Sequence, residues 1–449
     1  MKRRFIVALF LFPMLLYGQK ELDDYIRFGL ENNLALKQKL SDYSRSIEAL
    51  KEAKGFFYPS VSINARYTRA EGGRIIEFPA GDMLNPVYMT LNALTSSNLF
   101  PLIENQEFKF LRPEEHETKI RIVQQVFNPD VYYNTLIKKE LSVLGANDVE
   151  QYRRELVAEI KKAYYNAASA EGILRILEET RELLLENIIV SKRLLENGII
   201  TYDYLYRSEA ELARLSQEYQ NALKNSKLAK SYFNFLLNKP LNDTVIIKPP
   251  EYFPSVTRLT GDLVKNALSG REELRKLENY KNISGLMVRM NEAERLPEIM
   301  IVADFGYQGE KYEFNRDQDY LLASAVLTWN IFDGFARRAR GRQAVFQREM
   351  AEAQIQEAKK QIELQVINAL DELKASEIGI TAAESRVKSA SQVFRLVSKK
   401  YEEGQASMLE FLDARNNLTQ AEENLVISKY KYLSDFAQLE KTAAINQPE

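Results

Sequence analysis

The chain has 449 residues with no Cys and one His, and 61 Lys and Arg stand against 63 Asp and Glu, for a formal net charge of −2. Cys nucleophiles, disulfide frameworks and zinc sites built on Cys₂His₂ or His₃ are thereby excluded, and the balanced charge gives no overall basic bias toward nucleic acid. With only 18 Gly and 13 Pro interruptions are few, so long helices are expected.

Lys2, Arg3 and Arg4 lead into an apolar run from Phe5 to Tyr17, closed by the small Gly18. The run is shorter than the roughly 20 apolar residues that a spanning helix needs, so residues 1–18 read as a secretory signal peptide cleaved near Gly18. The later uncharged stretches of that length, residues 83–103 and 320–332, are interrupted by polar residues such as Asn85, Asn92, Ser96, Ser324 and Asn330, and no Cys stands at the cleavage point to carry a lipid. If a membrane holds the mature chain, strands must do it.

The remainder is one plan written twice. A constant offset aligns Leu30 with Leu268, Leu36 with Leu274, Pro59 with Pro297, Ile63 with Ile301 and Ala65 with Ala303. Further on, Val126-Phe127-Asn128 answers Ile331-Phe332-Asp333, and Glu196-Asn197-Gly198 answers Glu402-Glu403-Gly404. Repetition of this kind sets the domain reading. It predicts helix over 19–58, a strand hairpin over 59–127 with a long external loop at 70–117, and helices over 128–238. A linker over 239–259 follows, then helix over 260–296, a second hairpin over 297–332, helices over 333–443 and a polar tail over 444–449.

Within each copy the punctuation is local. Pro59 and Pro297 mark where the helical pattern gives way, and from Val61 the residues Ile63, Ala65 and Tyr67 alternate with Ser62, Asn64, Arg66 and Thr68, the period of two that signals a strand with one apolar face. Ile299, Ile301, Ala303, Phe305 and Tyr307 repeat the pattern. Thr118 to Phe127 and Tyr320 to Phe332 are the expected return strands. Asn128 before Pro129 and Asp333 before Gly334 are suited to cap the helices that follow. Those helices run to Asn197 and Glu403, about 68 residues and ~100 Å each, and stop at Gly198 and Gly404. Shorter helices of about 35 residues come next, two of which match one long helix end to end.

Four strands of about 10 residues suit a bilayer crossing, but an open sheet leaves unpaired N–H and C=O groups in hydrocarbon, so several chains must share one barrel. The hairpin loops then lie outside. His116 falls at the end of the first of them and is assigned a loop or interface role. Trp329 suits an aromatic girdle at the membrane interface, with core packing as the alternative.

Pro59-Ser60-Val61 opening a strand, Gln125-Val126-Phe127-Asn128 closing one and Tyr401-Glu402-Glu403-Gly404 at a helix end together resemble the TolC-type outer-membrane efflux family, the outer membrane factors, over about Leu22 to Ala443. The most specific stretch runs from Gly404 to Ala414, where a turn precedes an Asp-x-Leu-Asp-Ala motif in which Glu410 takes the first Asp. The resemblance implies an α+β membrane protein in the cell outer membrane: a homotrimer with four strands per chain in a shared 12-stranded β-barrel, continued by an α-helical periplasmic tunnel. It implies a passive exit duct for efflux or type I secretion, surrounded by outer-membrane lipid and docked on a periplasmic adaptor (membrane fusion protein) and an inner-membrane pump. On this reading Gly198, Ile199, Gly404 and Gln405 form the tips that meet the adaptor. Glu410 and Asp413, three apart on one helical face, narrow the tunnel just inside, with Tyr401, Asp203 and Tyr204 as further gate residues. The first copy carries its acid, Asp203, one position closer to its Gly than Glu410 lies to Gly404. No cofactor or metal is expected, and no nucleophile–base pair suggests an enzyme. A structural or adhesive surface coiled-coil protein without transport is the alternative.

Overall fold

A computed structural model describes residues 20–198, 200–248, 253–256 and 258–445; the expected signal peptide, part of the linker and residues 446–449 lie outside them. The elements in chain order are α1 (Lys20–Asn32), α2 (Leu34–Gly55), β1 (Ser60–Arg69), β2 (Ile75–Phe78), α3 (Ala80–Thr95), β3 (Gln106–Lys109), β4 (Glu114–Phe127), α4 (Pro129–Glu196) and α5 (Tyr202–Leu236). The second copy supplies α6 (Thr260–Gly270), α7 (Glu272–Ala293), β5 (Glu298–Gly309), β6 (Asp319–Thr328), α8 (Ala336–Glu402) and α9 (Met408–Thr442). Two compact units result: a strand unit of Glu48–Lys139 and Gly285–Phe346, and a helical unit made of the chain up to Ile47, Glu140–Ser284 and Gln347 onward.

In the strand unit, β1, β4, β5 and β6 form one antiparallel sheet in that order. The register places opposite residues on a common face: Ile63, Ile120, Phe305 and Leu321 form one row and Val61, Ile122, Ala303 and Ala323 the next. This apolar face is open to the surroundings; Ile63 and Leu321 are each 74% exposed. The opposite face is charged. Arg121 grips Asp304 with two bonds of 2.8 and 2.7 Å, Lys119 Nζ lies 2.8 Å from Glu117 and 3.4 Å from Asp304, and the Tyr320 hydroxyl donates to Glu117 at 2.8 Å. Apolar side chains facing outward from a sheet whose other face is an ion-pair network invert the soluble pattern and match a barrel wall in lipid.

The loop after β1 is locally folded, holding β2, α3 and β3, and two details beside it depart from the sequence reading. Asn85 and Asn92 of α3 each exchange two hydrogen bonds with the backbone, of Ile103 and Phe100 respectively, so side-chain amides stand in for a pairing strand. His116 belongs to β4, not to a loop; it pairs with Tyr67 and Gly309 and is fully buried because Tyr312 and Gln318 of the β5–β6 connection close over its ring. β6 ends at Thr328, short of Phe332. The Trp329 indole donates to Arg295 O at 3.0 Å, and Gly334 and Phe335 turn the chain with φ of +65° and +68°.

In the helical unit each N-terminal helix is broken once, at Asn33 and at Arg271, positions equivalent in the two repeats. The Asn33 amide donates to Leu236 O at 2.8 Å while its oxygen accepts from Leu36 N at 2.9 Å, restarting the helix as an internal N-cap. Arg271 instead takes extended backbone, φ −77° and ψ 129°. The core gathers Leu22, Leu36, Ile160, Phe233, Leu263 and Leu439. The linker lies against it: Asn234 donates to Asp243 O at 2.8 Å, and Lys248 N donates to the Tyr164 hydroxyl at 3.0 Å. Along α8 the buried residues Ala351, Ile355, Ile362, Val366, Ala369 and Leu373 follow alternating steps of coiled-coil type.

Candidate functional site: the two helical turns

The turns that end the long helices are both built around a left-handed glycine. After α8, Gly404 has φ +72°; its N–H bonds Tyr401 O at 3.0 Å, and Gln405 N–H reaches back to Lys400 O at 2.7 Å, the paired closure of a helix end. After α4, Gly198 has φ +68° and donates to Leu195 O at 2.9 Å. A Cβ at either position would meet nothing within 4 Å, so backbone conformation and not crowding requires glycine here. Gly198, Gly404 and Gln405 are exposed on the turns; Ile199 lies outside the described residues.

The helices that leave the turns start differently. Ser407 caps α9 through a reciprocal box: Glu410 N donates to Ser407 Oγ at 3.3 Å, and the Glu410 carboxylate accepts from the Ser407 N–H at 2.7 Å and its hydroxyl at 2.9 Å. The bonds from Ser407 hold the Glu410 carboxyl below the ordinary glutamate range. Thr201, at the start of α5, makes no side-chain cap to the backbone and gives its hydroxyl to Asp203 instead. Asp203 stands two residues past Thr201, too close to close the box that Glu410 closes from three. The one-residue difference between the repeats thus gives the two acids different jobs.

Asp413 is exposed on the same side of α9 as Glu410, and so is Leu409, whereas Met408, Phe411 and Leu412 are buried. Leu409 therefore does not join the helix packing; the helical period assigns that face to its neighbours. Beneath the turns Leu177, Leu184, Leu215, Met408 and Phe411 form a second core, against which Tyr204 and Tyr401 pack. The Tyr401 ring stacks on Phe411 at 4.9 Å, and burial raises its hydroxyl pKa against the opposing effect of nearby Ser191 and Asn187. The structure thus gathers the two tyrosines below the turns and leaves Asp203, Glu410 and Asp413 in contact with solvent.

Arg415 lies in the same region. Its guanidinium lies 5.5 Å over the Phe394 ring and donates to Thr180 Oγ1 at 2.6 Å. Burial lowers its pKa, opposed by Glu422 and Glu179. No ion pair joins it to Glu410 or Asp413 among the described residues, so it braces α9 on α4. The helix caps after the strands are local: Asn128 Oδ1 accepts from Asp130 N at 2.9 Å and Val131 N at 3.2 Å, and Asp333 accepts from Arg337 N at 2.7 Å. Among the described residues no cluster is arranged to hold a metal ion, and no helix is long and apolar enough to cross a membrane.

Residues 263–444 match the family described as Outer membrane efflux protein. The toluene efflux pump outer membrane protein TtgC of Pseudomonas putida is 22% identical over 315 residues, which cover 65% of this chain and 62% of TtgC. The chain therefore spans about three fifths of the length of that relative. The alkaline protease secretion protein AprF of Pseudomonas aeruginosa is 23% identical over 340 residues, 74% of this chain and 70% of AprF. The outer membrane channel CmeC of Campylobacter jejuni has a TM-score of 0.76 at 16% identity, covering 94% of this chain and 85% of CmeC. The α+β fold, with two repeats and four strands continued by long helices, is the fold of such channels.

Proposed function

We propose that the chain is a TolC-type outer-membrane efflux protein and that three copies of it form a passive exit duct, a barrel across the outer membrane continued by a helical tunnel into the periplasm. One observation carries the reading. The four-stranded sheet exposes a continuous apolar face, carries an ion-pair network on the other, and leaves β1 and β6 with open edges. In lipid those edges must be paired, and β6 of one copy on β1 of the next satisfies both. Two copies would give eight strands, whose interior fills with side chains; three give the first ring wide enough to conduct. α8 adds support: Leu364, Ile378, Val393 and Leu396 are exposed on a helix whose other face is already packed, surface for a neighbouring copy.

The detergent-solubilised protein is expected to have three times the mass of the mature chain and to form small, frequently closed pores in planar bilayers. A monomer by mass removes the shared barrel. Trimers that never conduct favour a structural or adhesive role instead. The relatives are named for efflux and for protease secretion; this reading leaves cargo choice to the pump, and the duct docks on a periplasmic adaptor and inner-membrane pump through the Gly198 and Gly404 turns.

Glu410 and Asp413 narrow this duct, three copies of each setting two acidic rings, with Asp203, Tyr204 and Tyr401 shaping the same constriction. Carboxylate rings favour cations, so Glu410→Gln with Asp413→Asn is expected to reduce cation selectivity and block by multivalent cations in single-channel recordings. Gln at 410 keeps an acceptor for Ser407, so the cap survives the test. Because the folded pKa of Glu410 is depressed, its stabilising bond to Ser407 is complete above the ordinary glutamate value of about 4.3. That bond is lost only as pH falls through the lower folded value. Unchanged selectivity in the double variant assigns the constriction elsewhere.

A further inference from the structure

Where β5 and β6 meet their helices, the strand unit holds a groove of about 450 Å³ that the duct reading leaves unused. Arg295, Arg338 and Arg342 line it, and Ile331, Phe332 and Phe335 form its apolar side. These three aromatic and aliphatic side chains are 79%, 71% and 68% exposed. The two neighbouring arginines are already engaged: Arg340 pairs with Glu294, and Arg337 donates to Asn330 O at 2.7 Å and lies 3.7 Å from Asp333. Arg295, Arg338 and Arg342 are exposed and have no side-chain partner among the described residues. Glu292 is the one lining carboxylate without an ion pair there.

Position and chemistry agree. Arg295 precedes β5 by three residues and Ile331 follows β6 by three, a reach of at most about 10 Å, and the headgroup layer adds roughly 5–7 Å to each side of the hydrocarbon. Exposed aromatic and aliphatic side chains beside free guanidinium groups at that depth fit a molecule with acyl chains and an anionic head. Guanidinium forks recognise phosphate. We infer that this groove binds an anionic phospholipid of the periplasmic leaflet, its phosphate held by Arg295, Arg338 and Arg342 and its acyl chains laid along Ile331, Phe332 and Phe335. The inference rests on the duct reading, which puts the helical end of the strands at that leaflet.

The test uses full-length trimers in detergent, titrated with phosphatidylglycerol, phosphatidylethanolamine or inorganic phosphate and read by native mass spectrometry and thermal shift. Phosphatidylglycerol should bind the wild type. The triple variant R295Q/R338Q/R342Q should bind it roughly 100-fold more weakly, at about one decade or less per basic residue near an anionic surface, and the triple Lys variant should recover most of the loss. Equal binding by the Gln variant, equal retention of phosphatidylethanolamine, or a matching shift with inorganic phosphate each overturns the inference, the last in favour of a free-anion site. The chain has no cysteine, so R338C in the trimer gives a second readout: a soluble maleimide should label it, and protection would place a neighbouring copy over the groove and overturn the lipid assignment. Conducting trimers without phosphatidylglycerol binding refute this inference alone, whereas a wild type that forms no trimer removes the duct reading and this site with it.

Discussion

Glu272→Ala is expected to destabilise the helical unit by about 3–5 kcal/mol, the cost of removing one partner of a buried, doubly bonded ion pair. Glu272 opens α7, and its carboxylate accepts two bonds from Arg154 of α4, from Nε at 3.1 Å and from Nη2 at 2.8 Å. Only 4% of Glu272 and 7% of Arg154 is exposed, so both charges of the pair are largely desolvated. Replacing both, Arg154→Met with Glu272→Leu, should restore most of the loss, because a well-packed apolar pair avoids the desolvation of two ions. Chemical unfolding followed by helix signal measures both variants. A near-neutral Glu272→Ala would mean that solvent enters the α4–α7 contact in the assembled protein.

The second large effect is expected at the turns. Valine at Gly198 and Gly404 should abolish transport while trimers still reach the membrane. Each glycine sits in the left-handed region with open space around it, so the substitution costs roughly 1–2 kcal/mol of local backbone strain and bends the turn without disturbing a core. A docking surface made of repeated turns is sensitive to that bend in every copy at once. Full transport in the double variant would refute the assignment of these turns to the adaptor contact. Loss of trimers would trace the effect to folding.

The two results separate what is local from what is not. The α+β plan was legible in residues alone because its signals are short-range: alternation from Val61 to Thr68, Pro at strand entrances, Asn128 before Pro129, and Gly at φ values that other residues avoid. The candidate turns were legible for the same reason. Much of the surroundings was not. His116 reads as a loop residue until Tyr312 and Gln318, about two hundred positions away, close over it. The one-position offset between Asp203 and Glu410 is visible in the residues, but its consequence is not: the spacing lets Glu410 complete a cap and denies it to Asp203.

By itself, then, the sequence determined the two repeats, the element types, the helix ends and the amphipathic strands, all properties of φ/ψ preference and periodicity within a few residues. Tertiary structure alone decided which chemistry those elements bring together: Arg154 on Glu272, Arg121 on Asp304, Arg415 on Phe394 and Thr180, and three unpaired arginines around one groove. Partners so far apart in the chain meet only once strand register and helix packing are set. No local pattern encodes that distance, because the free energy that selects it is shared over the whole packed face.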